Sequence, residues 1–192
     1  MSRTGQDGGT AHDARERLIA ELRTHALVIG EVTLTSGRTA PYYVDAKRAI
    51  LLPAGFQALG ELLTLRVSEW GATAVGGMTM GADAVACAAL AGGAQVKAFF
   101  VRKDVKTHGL QRQIEGPLLE PGDRCMVVED VVTTGGSTVA AIEALKRSGH
   151  EICGVVSVLD RLAGGAAAIE AAAGAPFVAL TTIEDVYPER ER

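Results

Sequence analysis

Cysteine is scarce in this chain, and so are aromatic residues: three Cys, one Trp, three Tyr and four Phe in 192 residues. Cys87, Cys125 and Cys153 are odd in number, far apart and set in apolar runs, which excludes a disulfide framework and the paired spacing of a zinc site. They read as small buried hydrophobes in a reducing, cytoplasmic compartment. None has a flanking His or Lys to lower its pKa, so no nucleophilic cysteine is expected. Long hydrophobic runs are missing too. Ala84 to Ala91 is too short to cross a bilayer, and Ala163 to Leu180 is broken by Glu170 and Pro176, so no membrane partner is expected. Positive charge is in deficit, 19 Lys and Arg against 23 Asp and Glu for a net −4, which argues against a general nucleic-acid binder. No G-x-x-x-x-G-K-[ST] loop is present for the acids of Val127-Val-Glu-Asp130 to serve, so a P-loop reading fails.

With 47% hydrophobic and 22% charged residues, the chain has the balance of a soluble globular protein rather than a disordered one. Residues 1–10, polar and Gly-rich without a basic flank, read as a frayed tail and not a signal peptide, leaving 11–192 as a single domain.

The chain is organised around Arg124-Cys-Met-Val-Val-Glu129-Asp130-Val131-Val132-Thr133-Thr134-Gly135-Gly136-Ser137-Thr138. Apolar residues ending in two carboxylates, then small hydroxyl residues and a Gly pair, read as a buried strand, an anion-cradling turn and a helix N-terminus, with the helical run from Val139 to Ser148. Main-chain N–H groups at a helix start have no intrahelical acceptor and, with the positive dipole end, suit a phosphate. Glu129 and Asp130 repel a phosphate and suit neutral hydroxyls or a cation. The two halves together describe a site for a sugar phosphate.

Strand and helix patterns alternate from Ala72 to Leu159, which predicts an α/β domain with a central parallel sheet flanked by helices. Ala11 to Leu27 is an amphipathic helix with Asp13 as its cap, and Pro53 to Trp70 is a second helix with Phe56, Leu59, Leu62, Leu63 and Val67 on its buried face. Between them, Gly30 to Asp45 has the alternation and Ser-Gly turn of a hairpin and carries Tyr42 and Tyr43. Gly76-Gly77-Met78-Thr79-Met80-Gly81 follows a short strand, and its glycines permit close approach of a ligand. Arg102, Lys103, Lys106 and His108 crowd into seven residues without an apolar period, a cationic loop that calls for an anionic partner. Arg161 ends a β-branched strand, where parallel-sheet proteins place ligand contacts, and can grip a carboxylate in bidentate fashion.

The Glu129 to Ser137 run resembles the phosphoribosyl pyrophosphate motif of the type I phosphoribosyltransferases. Within that fold class, x-Val-x-Leu-x-Ser-Gly-x-x-x-Pro-Tyr-Tyr-x-Asp over residues 31–45 and Arg102-Lys103-x-x-Lys106-x-His108-Gly are similar to the orotate phosphoribosyltransferases. The resemblance implies a type I fold with a small N-terminal hood formed mainly by about residues 11–50. It also implies transfer of a phosphoribosyl group to orotate in pyrimidine (UMP) biosynthesis. Glu129 and Asp130 are then the ribose ligands and Thr133, Thr134, Gly135, Gly136 and Ser137 the 5′-phosphate cradle, with Val131 and Val132 also binding phosphoribosyl pyrophosphate. Arg102, Lys103, Lys106 and His108 serve the pyrophosphate, with Lys103, Lys106, His108 and Asp130 catalytic, while Tyr43, Val44, Thr133 and Arg161 meet orotate. The same resemblance implies Mg²⁺ held by substrate oxygens with no direct protein ligand, and a homodimer with shared active sites. The chain departs from the family at two positions, having Thr35 and Met80 where many relatives carry lysine. A purine or xanthine phosphoribosyltransferase and a non-catalytic phosphoribosyl pyrophosphate-binding regulator are the alternatives; the first should lack Arg161 and the hood pattern, the second the cationic loop.

Overall fold

Apolar runs rich in β-branched residues form most of the strands, and stretches of helical periodicity form helices laid on the sheet. The computed structural model describes residues 7–33, 39–103 and 113–190. Helix α1 (Asp7–Glu21) and a π-helical turn (Leu22–Ala26) lead into a hairpin, β1 (Leu27–Thr33) and β2 (Thr39–Val44), then α2 (Lys47–Ile50) and α3 (Pro53–Trp70). Next come β3 (Ala74–Met78), α4 (Gly81–Ala91), β4 (Lys97–Val101) and the two-residue β5 (Ile114–Glu115). The chain closes with β6 (Arg124–Val132), α5 (Gly136–Arg147), β7 (Glu151–Asp160), α6 (Gly165–Ala173), β8 (Phe177–Thr182) and α7 (Ile183–Val186).

The main sheet has the order β5-β4-β3-β6-β7-β8, parallel except for β5, which runs against β4. From β3 the chain moves outward to β4, then returns to β6 on the other side of β3 and continues to β7 and β8. The order therefore reverses between β3 and β6, and their C-terminal ends open on the crevice where such sheets bind ligands.

Both faces of the sheet are covered, so alternate residues of β6 feed two cores. Met126 and Val128 pack with Leu18, Leu59, Leu63 and Val85 on one face, while Cys125 and Val127 pack with Phe99, Ile142, Leu145 and Ile169 on the other. Helix α3 spans the expected residues because Pro53 opens it and Gly71, in the left-handed region at φ 59°, closes it. Leu59, Leu62, Leu63 and Val67 are buried as expected, and Phe56 is half-buried against the same core.

Several expectations shift. The first helix begins at Asp7, within the stretch read as a tail, and Asp13 lies inside it rather than capping it. Arg15 pairs with Asp185 at 2.7 Å and Arg17 with Glu61 at 2.6 Å, which fasten α1 to the body; the hairpin alone forms a separate two-stranded sheet. Gly76 and Gly77 do not make room for a ligand. A Cβ on Gly76 would strike the Phe99 carbonyl and ring, and one on Gly77 the Val128 carbonyl, with Ala82 Cβ at 2.8 Å. Cys87 is exposed, while Cys125 and Cys153 are buried as read. Burial pushes the Cys125 thiol up to about 12 and raises Cys153 too, so neither ionises readily. Among the described residues no helix is long and apolar enough to cross a membrane.

Candidate functional site

Strand β6 runs on through Glu129, Asp130, Val131 and Val132, because pairing with β7 continues to the register Val132 with Asp160. The two acids therefore belong to the strand instead of following it. Thr133 to Gly135 alone make the turn, and α5 starts at Gly136, three residues before the helical run expected from Val139. Gly135 takes φ 80° to achieve this, a conformation costly for any residue with a Cβ. No side chain caps α5, so its first N–H groups face a cavity of about 260 Å³ lined by Glu129 and Val131 through Thr138. Val132 lines that cavity although its side chain is 1% exposed in the second core, and its carbonyl accepts the Arg161 N–H at 2.9 Å.

A second cavity, of about 320 Å³, shares Glu129, Val131 and Ser137 with the first and adds Lys47, Met78, Thr79, Met80, Gly81 and Asp130. Lys47 Nζ donates to Asp130 Oδ2 at 2.8 Å and lies 3.0 Å from Asp45 Oδ1. Burial alone would lower the Lys47 pKa, but its bonds to Asp130 and Asp45 outweigh that and hold it raised and charged. Glu129 accepts from Thr138 Oγ1 at 3.0 Å, and burial, followed by the neighbouring Asp130 charge, pushes its pKa up to about 8. Glu129 thus holds a proton more tightly than an ordinary carboxyl, while Asp130 is bonded to an ammonium ion. Thr79 Oγ1 donates to Asp83 Oδ2 at 2.7 Å, and the Thr79–Met80 peptide is cis.

A testable consequence concerns pH. Between the ordinary value of 4.5 and about 8 the folded chain binds a proton at Glu129 that the unfolded chain has lost, so Glu129 subtracts stability as pH rises through that window. Thermal unfolding of Glu129→Gln against the parent should show the variant gaining relative stability steadily from pH 5 to 8. A constant difference across that range would contradict the protonated state.

Arg102 and Lys103, the described part of the cationic segment, line a third cavity, of about 430 Å³, together with Thr79, Phe100 and Glu115. Arg102 lies 3.8 Å from Glu115, and Lys103 is exposed. Lys106, His108 and Thr35 lie outside the described residues.

At the other end of the site, the hairpin alternation decides which aromatic faces inward. Tyr42 and Val44 share the inner face of β2, and Tyr43 lies on the outer face, 38% exposed. The Arg161 guanidinium sits over the Tyr42 ring, 5.0 Å from its centroid, and Tyr42 meets Tyr187 edge to face at 5.6 Å. Tyr43 is therefore not the tyrosine beside Arg161, and Val44, at 3% exposure, has its side chain in the core, so any contact it offers a ligand comes from its main chain. Asp160 is buried and accepts the Leu162 N–H at 2.9 Å, closing a local turn. Sequence reading missed two residues, Tyr42 and Lys47. Period-two alternation along Thr39–Val44 could have picked out Tyr42; no local pattern ties Lys47 to Asp130.

No model of a known protein family matches the chain. An orotate phosphoribosyltransferase of Corynebacterium glutamicum is 45% identical over 175 residues, covering 91% of this chain and 94% of the relative. The crystal structure of the Mycobacterium tuberculosis orotate phosphoribosyltransferase with Fe(III) dicitrate superposes with a TM-score of 0.82 at 42% identity, covering 91% of this chain and 99% of that one. The same enzyme in complex with 5-phospho-α-D-ribosyl 1-diphosphate gives 0.77 at 37% identity, with 90% and 98% covered.

Proposed function

The chain belongs to the orotate phosphoribosyltransferase family, and from that premise we propose that its cleft transfers the phosphoribosyl group of phosphoribosyl pyrophosphate to orotate, giving orotidine 5′-monophosphate and pyrophosphate. The observation that carries this reading is the uncapped start of α5 beside the Glu129 and Asp130 pair, at the point where strand order reverses. An amide cradle for the 5′-phosphate next to carboxylates for the ribose hydroxyls is a sugar-phosphate site.

The reaction breaks the bond between ribose C1′ and the diphosphate oxygen and joins C1′ to a ring nitrogen of the base, whose N–H proton is lost to the departing diphosphate. Positive charge grows on the ring while negative charge gathers on the leaving group. No protein nucleophile is required. Asp130, bonded to Lys47, and Glu129 orient the ribose hydroxyls, while Thr133 to Ser137 hold the 5′-phosphate. Arg102, Lys103, Lys106 and His108 stabilise the departing diphosphate, a role in which each donor contributes on the order of 10²–10³ in rate.

Mg²⁺ is part of the proposal. Among the described residues no cluster of three His, Cys, Asp or Glu could hold an ion, so the ion would take most of its ligands from diphosphate and water, as Mg²⁺ prefers. Asp130, with its carboxylate at the cavity, is the residue placed to bind its water shell, and the ion when bound neutralises leaving-group charge. A homodimer in which the cationic loop serves the neighbouring site, and a cytoplasmic location in keeping with three unpaired cysteines, complete the reading; a solution mass of two chains checks the pairing.

Released pyrophosphate, measured with orotate, uracil, xanthine and adenine as acceptors, tests the assignment: turnover with orotate alone is expected. Arg161 supplies that preference through the orotate carboxylate, and Tyr42 holds its guanidinium in place. Tyr42→Leu should raise the KM for orotate about fivefold, the loss of about 1 kcal/mol of cation–π contact, whereas Tyr42→Phe should change it little. Equal KM values in Leu and Phe variants would show that the stack does not position Arg161.

A further inference from the structure

We propose that Lys47 is a catalytic residue that binds the departing diphosphate; this deepens the phosphoribosyl-transfer reading above and rests on it. The cavity containing Lys47 lies between the other two parts of the cleft. It shares Glu129, Val131 and Ser137 with the phosphate turn, and Thr79 with the cavity of Arg102 and Lys103. A ribose on the acid pair with its 5′-phosphate in the turn must direct its C1′ substituent into this middle space or toward Thr79. The floor there carries Asp130, with Asp45 just behind, carboxylates that suit hydroxyls and repel a diphosphate unless a cation intervenes.

Among the described residues lining that cavity, Lys47 is the cation. Its ammonium group has three N–H donors, and two are engaged by Asp130 at 2.8 Å and Asp45 at 3.0 Å. One donor remains for an anion. The side chain is 39% exposed, so its stem is packed while its head reaches the cavity. Two carboxylates already fix its rotamer, so binding the diphosphate costs little further side-chain entropy. Met80, 77% exposed on the same cavity wall, offers no charge of its own, which leaves this task to Lys47.

The test uses the full chain and two ligands that share no part. Calorimetric binding of pyrophosphate with Mg²⁺, and separately of orotidine 5′-monophosphate, is measured for the parent, Lys47→Gln and Lys47→Arg. Lys47→Gln should lose about tenfold or more in pyrophosphate affinity, keep nucleotide affinity within about threefold, and lose kcat; Lys47→Arg should retain most of the pyrophosphate affinity. Unchanged pyrophosphate affinity in Lys47→Gln, or an equal loss for both ligands, would overturn the proposal, the second outcome showing that Lys47 acts only through Asp130. Should Lys47→Gln fail to fold, acylation of Lys47 in the parent protein is followed by mass spectrometry with and without magnesium pyrophosphate. Protection supports the contact, and its absence refutes it. Parent protein that releases no pyrophosphate with orotate would instead sink the underlying reading.

Discussion

Alanine in place of Lys103 is expected to lower kcat by about 10²–10³ while shifting the melting temperature by no more than about 2 °C. The two readouts separate because of where Lys103 stands. It is exposed at the end of β4, on the cavity that also holds Thr79 and Arg102, and no ion pair of its ammonium group is seen among the described residues. Removing it therefore takes little from the fold, as expected for a surface substitution away from a packed or bonded position. On the proposed mechanism its charge matters when the diphosphate leaves and negative charge must be stabilised at that cavity. Arg102 is less free to help, since Glu115 lies 3.8 Å from its guanidinium. The same variant tests the shared site. Lys103→Ala and Asp130→Asn, each impaired alone, should regain activity on mixing if one chain supplies the cationic segment and its neighbour the acids. A mixture no better than its parents would confine each site to one chain.

A large loss of stability is expected from Gly77→Ala. A methyl group there would run into the Val128 carbonyl of β6 and come within 2.8 Å of Ala82 Cβ. Both obstacles are main chain or the tightly packed start of α4, so no flexible side chain can swing aside. Strand β3 lies between β4 and β6, and the sheet must open or β3 must shift. A cost of about 3 kcal/mol follows, which for a chain of this size lowers the melting temperature by about 6–12 °C. Activity should suffer with it, because β3 delivers Thr79 to the cleft that β6 lines with its acids. Thermal and urea unfolding provide the measurement; a variant that melts with the parent would mean that β3 and β6 can separate freely.

Much of the architecture was legible because its signals are local. Pro53 and Gly71 bracket α3, glycines bound α6, and β-branched runs mark β6 and β7. The phosphate turn was legible for the same reason: a strand, two acids and a Thr-Thr-Gly-Gly-Ser run must all be neighbours in sequence to build one helix start. What misled was also local. A stretch of ten polar and Gly-rich residues gave no sign that α1 begins at Asp7, and the acids looked like a strand's end until pairing with β7 carried β6 past them. Gly76 and Gly77 looked like an approach route for a ligand, whereas their smallness is required by Phe99 and Val128 on neighbouring strands.

The sequence by itself determined most of the main strands and helices, the glycine turn after the acid pair and the family to which they belong, because dihedral preference, hydrophobic period and capping act over a few residues. Only the tertiary structure decided that Lys47 meets Asp130, that Tyr42 rather than Tyr43 carries Arg161, and that Val44 and Val132 turn into the core. Those contacts join residues far apart in the chain, and sheet order and packing, which no local pattern encodes, bring them together.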